Sequence, residues 1–224
     1  ETLFGDSIAR IDERAERVGI AFDHAAEREV DLLIGADGLH SRVRGLCFGA
    51  EAEREVFLGY HVAAFETQGY RPRDELVYMM HSVPGRQVSR FSMRGDTTMF
   101  LFVFRDEYLP AQAPHNNEQK KAVLQRAFGD AGWECRQILA ALEAADELYF
   151  DQVSQIRLPD WSRGRVALIG DAAACVSLLA GEGTGLAMAE AYVLAGELQR
   201  AQGDHRAAFA RYQQRLLPFL EDKQ

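Results

Sequence analysis

Two acidic residues, Asp37 and Asp171, each follow a short apolar run, residues 30–35 and residues 165–170, and each stands beside a glycine. Such runs are typical of strands that are covered on both faces of a parallel sheet. Open α/β sheets bind ligands at the carboxyl ends of their strands, where an acid can accept hydrogen bonds from sugar or polyol hydroxyls. The alternative is structural, because an Asp-Gly turn or an Asp at a helix N-cap needs no ligand.

A third segment, residues 181–185 (Gly-Glu-Gly-Thr-Gly), precedes a helical pattern at 186–201. Glycine lets a backbone approach a flat ligand closely, and the N-terminus of a helix carries roughly half a positive charge. The segment is therefore suited to stabilise negative charge that forms on a ring system. A glycine loop that serves only packing is the alternative.

The elements that must position these residues belong to an α/β domain at the two ends of the chain. Ser41 is suited to cap a short helix that runs to Cys47. The apolar periodicity predicts strands at 2–11, 17–23, 30–35 and 165–170, and long helices at 186–201 and 204–220.

The middle of the chain has a different pattern, with short strands separated by turn residues such as Pro84-Gly85 and Gly95-Asp96, which imply antiparallel hairpins. Strands are predicted at 56–66, 75–83, 87–93, 97–104 and 147–158, and helices at 118–128 and 133–145. We therefore predict an antiparallel-sheet substrate domain, residues 51–154, inserted into an α/β domain made of residues 1–50 and 155–224. Arg86, Arg90 and Arg94 fall on one strand face, which we interpret as a solvated stripe.

The composition argues against three classes of function: nucleic-acid binding, membrane spanning and metal binding. The 224 residues carry a net charge of -9, which argues against a nucleic-acid partner. No apolar run approaches the ~20 residues that a membrane span needs. Cys47, Cys135 and Cys175 are far apart and form no C-x-x-C pair, which argues against a metal site and indicates a reducing, cytoplasmic location. A small molecule is the expected partner.

Taken together, the three segments resemble the flavoprotein aromatic hydroxylases, the single-component FAD-dependent monooxygenases of the p-hydroxybenzoate hydroxylase type. The family's Asp-Gly motif corresponds to Asp37-Gly38 with Ser41 and Arg44, and its Gly-Asp motif to Gly170-Asp171-Ala172-Ala173. The resemblance implies a Rossmann-like FAD/NAD(P)-binding α/β fold with an inserted sheet and C-terminal helices. It also implies FAD as cofactor, NAD(P)H as co-substrate, and hydroxylation of an aromatic or polyketide-like small molecule.

The resemblance also implies roles for individual residues. Asp171 would bind the ribityl hydroxyls of FAD, the glycine loop would pass beside the isoalloxazine, and Asp37-Gly38 would lie near the pyrophosphate and serve NAD(P)H use. The inserted sheet would roof the substrate pocket, with Tyr60 and His61 as candidates to face the substrate; a half-buried strand pair is the alternative. The cofactor-binding candidates are Asp37, Gly38, Arg44, Gly170, Asp171, Ala172, Gly181, Glu182, Gly183, Thr184 and Gly185.

Several positions depart from the family pattern. Ala174, Ser177, Glu182 and Gly185 stand where His, Pro, Gln and Asn are usual. A Gly-Glu-Gly loop also occurs in related flavin reductases, so a reductase or dehydrogenase of the same fold is an alternative. The family's opening Gly-x-Gly-x-x-Gly is not found, so we expect an internal portion of a longer enzyme; a non-catalytic piece that does not hold FAD by itself is a third possibility. No catalytic residue is assigned, because the flavin performs the oxygen chemistry.

Overall fold

The computed structural model describes residues 1–49 and 54–224. These residues form two compact units, one of Glu1–Val56 with Ser154–Gln224 and one of Phe57–Val153. The domain boundary predicted between residues 50 and 51 lies outside the described residues. The α/β class with an inserted antiparallel sheet is confirmed.

In the first unit, a pair of short parallel strands places the two acidic motifs. β4 (Leu33–Gly35) pairs in parallel with β11 (Val166–Leu168), and β10 (Ser162–Arg163) lies antiparallel on the other side of β11. β4 ends two residues before Asp37, and β11 ends three residues before Asp171. Because parallel strands end at the same edge of a sheet, both acids are brought to one edge.

The apolar run at 30–35 is not a single strand, which corrects the sequence prediction. β1 (Ile8–Glu13), β2 (Val18–Phe22) and β3 (Arg28–Val30) form a separate antiparallel sheet in that order. The chain leaves β2 after Val30 and pairs with β11 from Leu33 onward. Arg165 stabilises the change of partner, because its carbonyl accepts from the Leu33 N–H (3.0 Å) and its guanidinium donates to the Asp31 carbonyl (3.1 Å).

The predicted strand at 2–11 begins only at Ile8, because the Asp6 carboxylate accepts the N–H groups of Ser7, His24 and Ala25 at 2.7–3.0 Å. These side-chain bonds replace a strand ladder at the start of the segment.

The helices of the first unit are α1 (Arg42–Phe48), α4 (Asp171–Ala174), α5 (Gly183–Ala201) and α6 (His205–Lys223). The predicted start of the long helix at residue 186 is wrong, because the first turn already includes Gly183, Thr184 and Gly185. α6 begins where predicted, with the Asp204 carboxylate accepting the Ala207 N–H at 3.0 Å. Trp161, Phe209 and Tyr212 are buried in the core that these helices share with β4 and β11.

The second unit is built on a sheet and two helices. The strands are β5 (Glu55–Gln68), β6 (Tyr78–Val83), β7 (Arg86–Ser92), β8 (Thr97–Arg105) and β9 (Tyr149–Ile156), and the helices are α2 (Asn117–Phe128) and α3 (Cys135–Glu143). The strand order in the sheet is β6-β7-β8-β5-β9. The pairs β6/β7, β7/β8 and β5/β8 are antiparallel, which confirms the predicted hairpins.

One face of this sheet packs against α2 and α3. Phe100, Phe102 and Phe104 of β8 point into that core. Arg90 lies on the same face, buried, and its guanidinium contacts the carboxylates of Glu134 (2.8 Å) and Asp74 (2.7 Å). The prediction of a solvated arginine stripe is therefore wrong at Arg90. Two acids neutralise its charge: Glu134, at the N-cap of α3, and Asp74, in the connection between β5 and β6. Within the described ranges, no helix is long and apolar enough to cross a membrane.

The close packing of β4, β11 and α1 requires a glycine at position 35. A Cβ on Gly35 would lie 2.7 Å from Leu168 Cδ2 and 2.9 Å from Val43 Cβ. We therefore expect Gly35→Ala to lower the free energy of unfolding by about 1–3 kcal/mol, as overpacking does, measured by urea denaturation. Gly45→Ala in α1 is the matched control, since its Cβ would meet no atom within 4 Å. Equal stability of Gly35→Ala and the wild type would contradict the packing argument.

Candidate functional site

The three sequence segments meet at one open cavity of about 470 Å³ in the first unit. The cavity lies at the carboxyl ends of β4 and β11 and against the start of α5. Its lining consists mostly of small residues: Ala36, Gly38, Ile169, Gly170, Asp171, Gly183, Thr184, Ala187, Met188 and Ala191. Small side chains leave the backbone accessible, so a flat ligand can approach it closely.

Asp171 supplies a carboxylate beside the start of α5. It is the first residue of α4, and a Cβ built on Gly183 would lie 3.8 Å from its Oδ1. Glu182, at the N-cap position of α5, makes no side-chain capping bond, so the first N–H groups of this 19-residue helix have no cap from that side chain. The cavity thus combines an acceptor suited to hydroxyls with the positive end of a helix dipole.

Gly170 holds a backbone conformation that other residues rarely adopt, with φ 61° and ψ −147°. Its N–H donates to Oε2 of Glu190 at 2.6 Å, and a Cβ at this position would lie 3.1 Å from the Cβ of Ala187. Conformation and space therefore both require glycine immediately before Asp171.

The Asp37 carboxylate caps α1. Its Oδ1 accepts from the Ser41 hydroxyl at 2.5 Å and its Oδ2 from the Val43 N–H at 3.0 Å, while Ser41 Oγ accepts from the Arg44 N–H at 2.9 Å. The predicted cap at Ser41 is therefore confirmed. Gly38, with φ 81°, lines the cavity through its backbone. A contact of the Asp37 carboxylate with a cofactor stays a prediction.

Arg44 ties the first motif to the second. It is fully buried, and its guanidinium donates to the carbonyl oxygens of Ala172 (Nη1, 3.1 Å) and Leu39. These bonds fix the position of the segment after β4 relative to α4, the helix that starts at Asp171. Arg44 makes them from the protein interior and not from the cavity surface. A direct contact of Arg44 or Ala172 with a ligand stays a prediction.

The remaining residues of the glycine segment divide between cavity and surface. Gly183 and Thr184 line the cavity. Gly181 is left-handed with φ 67°, and a Cβ at Gly185 would meet no atom within 4 Å. The exposed Glu182 carboxylate pairs with the Lys223 ammonium at 2.9 Å, which turns this acid toward the end of α6.

Tyr60 and His61 lie in the second unit and point to opposite faces of β5. The buried His61 imidazole is on the face that packs against the helices, 2.8 Å from Asp106 Oδ1 and beside the rings of Phe104 and Phe150. Tyr60 is on the opposite face, with its hydroxyl 3.5 Å from Arg105 Nε. A substrate contact by either residue stays a prediction.

Sequence reasoning missed Glu190 and Tyr212, which support the cavity from inside the protein. Both are buried, and the Tyr212 hydroxyl lies 3.0 Å from Glu190 Oε2 and 3.1 Å from the Leu168 carbonyl oxygen. Burial raises the pKa of Glu190 and that of Tyr212. The available signal was one acid among small and apolar residues, Ala187 to Ala191, on a helix next to the glycines.

Two other candidate chemistries find no support at this site. Burial, together with the nearby negative charge of Asp171, raises the pKa of the Cys175 thiol to about 12, which disfavours the nucleophilic thiolate. Across the described part of the chain, no group of three or more His, Cys, Asp or Glu side chains is arranged to hold a metal ion.

Comparison with known proteins decides the family. A family model described as "FAD binding domain" matches residues 12–221. The chain belongs to this FAD-binding-domain family. A relative named flavin-dependent monooxygenase, from an unknown prokaryotic organism, is 36% identical over 221 residues, which cover 99% of this chain and 57% of the relative. The chain thus spans less than two thirds of that family member's length.

Solved structures agree with the family assignment. The crystal structure of tetracycline destructase Tet(55) matches with a TM-score of 0.86 and 33% identity, over 97% of this chain and 57% of that one. Klebsiella pneumoniae HpxO, in complex with FAD and uric acid, matches with a TM-score of 0.73 and 26% identity, over 93% of this chain and 52% of that one. The resemblance stated from the motifs, and FAD as the cofactor of the family, are therefore confirmed.

The cavity residues fit part of such a cofactor. The wall formed by Gly38, Gly170 and Gly183 leaves room that side chains would fill, and Asp171 offers the acceptor that a polyol chain needs. The start of α5 offers N–H groups to an anionic or electron-rich ring edge. That these residues contact FAD in this chain stays a prediction.

The buried Glu190 predicts a pH dependence of stability. Because its folded-state pKa is raised above the ordinary 4.5, its contribution is fully present below pH 4.5 and is lost as the pH rises through the folded-state pKa. We expect the free energy of unfolding of the wild type to fall relative to Glu190→Gln as the pH rises above 4.5, measured by urea denaturation at a series of pH values.

Glu197 provides a control of opposite sign on the same helix. Its hydrogen bond with Arg211, assisted by Arg200, lowers the pKa of this carboxyl, so its contribution is present above pH 4.5 and is lost on acidification. The wild type should therefore gain stability relative to Glu197→Gln as the pH rises. The same trend in both variants would contradict the assignment of Glu190.

Proposed function

We propose that this chain forms the Asp171 side of an FAD site in a flavin-dependent monooxygenase that uses NAD(P)H and hydroxylates an aromatic or polyketide-like small molecule. The observation that supports this most is the cavity where Gly170, Asp171 and the start of α5 meet, in a member of the FAD-binding-domain family. The 36% identical relative named flavin-dependent monooxygenase supports the reaction class.

The residues of the chain contribute binding and electrostatics. Asp171 accepts hydrogen bonds from ribityl hydroxyls, and the N–H groups at the start of α5 stabilise negative charge on the adjacent ring edge. Gly170 and Gly183 allow the backbone to approach a flat ring, and Ile169, Ala187 and Met188 offer apolar contacts to it. When bound, FAD supplies the redox and oxygen chemistry.

Exposed side chains on the sheet of the second unit support the proposal that the substrate is ring-shaped and partly apolar. On the sheet face opposite the helices, Tyr78 and Met80 of β6 are 50% and 52% exposed, and the Tyr78 hydroxyl bonds Ser89 Oγ at 2.7 Å. Aromatic and thioether side chains with a few polar groups are suited to such ligands. Tetracycline and uric acid, which occur in the names of two similar structures, are the first compounds to test.

A flavin-dependent reductase or dehydrogenase is the second candidate. The Gly181-Glu182-Gly183 loop, which resembles that of related flavin reductases, and Ala174 in place of the usual His favour it. Oxygen consumption coupled to NAD(P)H oxidation and to a hydroxylated product supports the monooxygenase. NAD(P)H oxidation that reduces the substrate without incorporation of oxygen supports the reductase. A cytoplasmic location stays a prediction.

Loss of the Asp171 carboxylate should weaken FAD binding. We expect Asp171→Asn to raise the Kd for FAD on the order of tenfold, because a charge-assisted hydrogen bond is replaced by a neutral one. Quenching of flavin fluorescence on titration measures the Kd. Asp160→Asn, at an exposed position in a turn, is the control.

The same titration decides what the 224-residue chain does by itself. A micromolar Kd for the wild type supports a cofactor site within this chain. Absence of binding up to about 100 μM would support the alternative that the chain does not hold FAD alone. Equal Kd values for Asp171→Asn and the wild type would contradict the role given to Asp171.

A further inference from the structure

One carboxylate oxygen of Glu190 contacts both the Gly170 N–H and the hydroxyl of Tyr212. From α5, its Oε2 accepts the Gly170 N–H at 2.6 Å and lies 3.0 Å from the hydroxyl of Tyr212 on α6. The same tyrosine hydroxyl lies 3.1 Å from the carbonyl oxygen of Leu168, the last residue of β11. The carboxyl group therefore links the end of the strand, the glycine before Asp171 and both long helices.

A count of protons favours a neutral Glu190. The Tyr212 hydroxyl has one proton but two oxygen neighbours, and the Leu168 carbonyl can only accept. With an ionised Glu190, the single Tyr212 proton would have to be shared between two acceptor oxygens at 3.0 and 3.1 Å. With a protonated Glu190, the carboxyl donates to Tyr212 and Tyr212 donates to Leu168, while Gly170 N–H still has its acceptor.

The surroundings agree with this proton count. Burial of Glu190 raises its pKa, and this effect outweighs the hydrogen bonds from Gly170 and Tyr212, which lower it. The charged or titratable groups that face Glu190 are Asp171 and Tyr212. Neither is a cation that would stabilise a carboxylate, and the negative charge of Asp171 opposes a second one nearby. Glu197, two turns further along α5, contacts three arginines and shows the contrasting environment of an ionised acid.

The hydrogen bond acts on the conformation of the Gly-Asp turn. Gly170 lies at φ 61° and ψ −147°, a region open to glycine but among several that glycine can adopt, so a contact is needed to select it. Glu190 fixes the N–H of this residue from the helix whose first turn lines the cavity. The bond therefore sets the position of Asp171 relative to Gly183, the two sides between which a ligand would lie.

We propose that Glu190, in a neutral pair with Tyr212, is a positioning residue that holds the Gly170-Asp171 turn against α5 and thereby sets the geometry of the cofactor site. The part of this proposal that concerns the cofactor rests on the proposed FAD function. The part that concerns the turn is a property of the chain alone.

Two substitutions of Glu190 test whether its hydrogen-bond acceptor, and not a negative charge, holds Gly170. Glu190→Gln places a neutral carbonyl oxygen where Oε2 accepts the Gly170 N–H, although an amide cannot also donate to Tyr212 from that oxygen. Protection of the Gly170 N–H should therefore stay as in the wild type. Glu190→Leu keeps the volume and removes the acceptor. Amide hydrogen exchange over residues 169–176, without cofactor, should be faster in Glu190→Leu on the order of tenfold and within about threefold of wild type in Glu190→Gln.

Glu197→Leu is the matched control, because it makes the same change on the same helix away from the turn; it should leave exchange over 169–176 unchanged. Wild-type exchange in Glu190→Leu would overturn the positioning role. Exchange in Glu190→Gln as fast as in Glu190→Leu would overturn the neutral pair. If circular dichroism shows that Glu190→Leu does not fold, Glu190→Met serves in its place, because it also removes the acceptor. The positioning role predicts that exchange over residues 169–176 is faster on the order of tenfold in this variant, and wild-type exchange would overturn it.

FAD titration of the same proteins tests the link to the cofactor. We expect the Kd for FAD to rise on the order of tenfold in Glu190→Leu and to stay within about threefold of wild type in Glu190→Gln. An unchanged Kd in Glu190→Leu beside faster exchange would overturn the link to the cofactor. Failure of the wild type to bind FAD would count against the proposed function of this chain, while the exchange measurement still decides the positioning role.

Discussion

The parallel pairing of β4 with β11 is the contact on which the arrangement of the site depends. Each strand has only three residues, and the two lie far apart in the sequence. Such a short ladder supplies few hydrogen bonds, so side-chain packing must stabilise it. The absence of a side chain at Gly35 lets Leu168 and Val43 close over the pair. Without this approach, the segments that follow the two strands would not share an edge.

The charged residues of the motifs mostly act from behind the surface that a ligand would meet. Asp37 caps α1, Arg44 donates to two carbonyl groups, and Glu190 holds the N–H of Gly170. The cavity wall itself is backbone and small side chains, with Asp171 as its charged member. These side chains therefore fix main-chain atoms of the cavity wall. Asp37 and Arg44 do so within motifs whose residue types and spacing are recognisable in the sequence, whereas Glu190 does so from a helix outside those motifs.

The sequence predicted most of what depends on local pattern. Apolar runs that end in Gly-Asp, the Ser41 cap and the closely spaced turns gave the α/β class, the hairpins and the meeting of the three segments. What it could not predict depends on partners distant in the chain. The run at 30–35 divides because the Leu33 N–H donates to the Arg165 carbonyl next to β11. Arg90 can be buried because Glu134 and Asp74 form ion pairs with it. Glu190 was missed because a helical acid is normally solvated, and only the fold shows that Gly170 and Tyr212 enclose it.

The start of α5 at Gly183 has an energetic consequence for the first turn of this helix. Glycine in a helix costs about 1 kcal/mol relative to alanine, and Gly183 and Gly185 both lie in the first turn. The turn that offers its N–H groups to the cavity is thus the part of the helix with the weakest intrinsic preference for being helical. A ligand that accepts hydrogen bonds from these N–H groups would favour the helical over the frayed conformation of this turn. The same glycines that leave the backbone accessible therefore make the stability of the first turn of α5 sensitive to whether a ligand is bound.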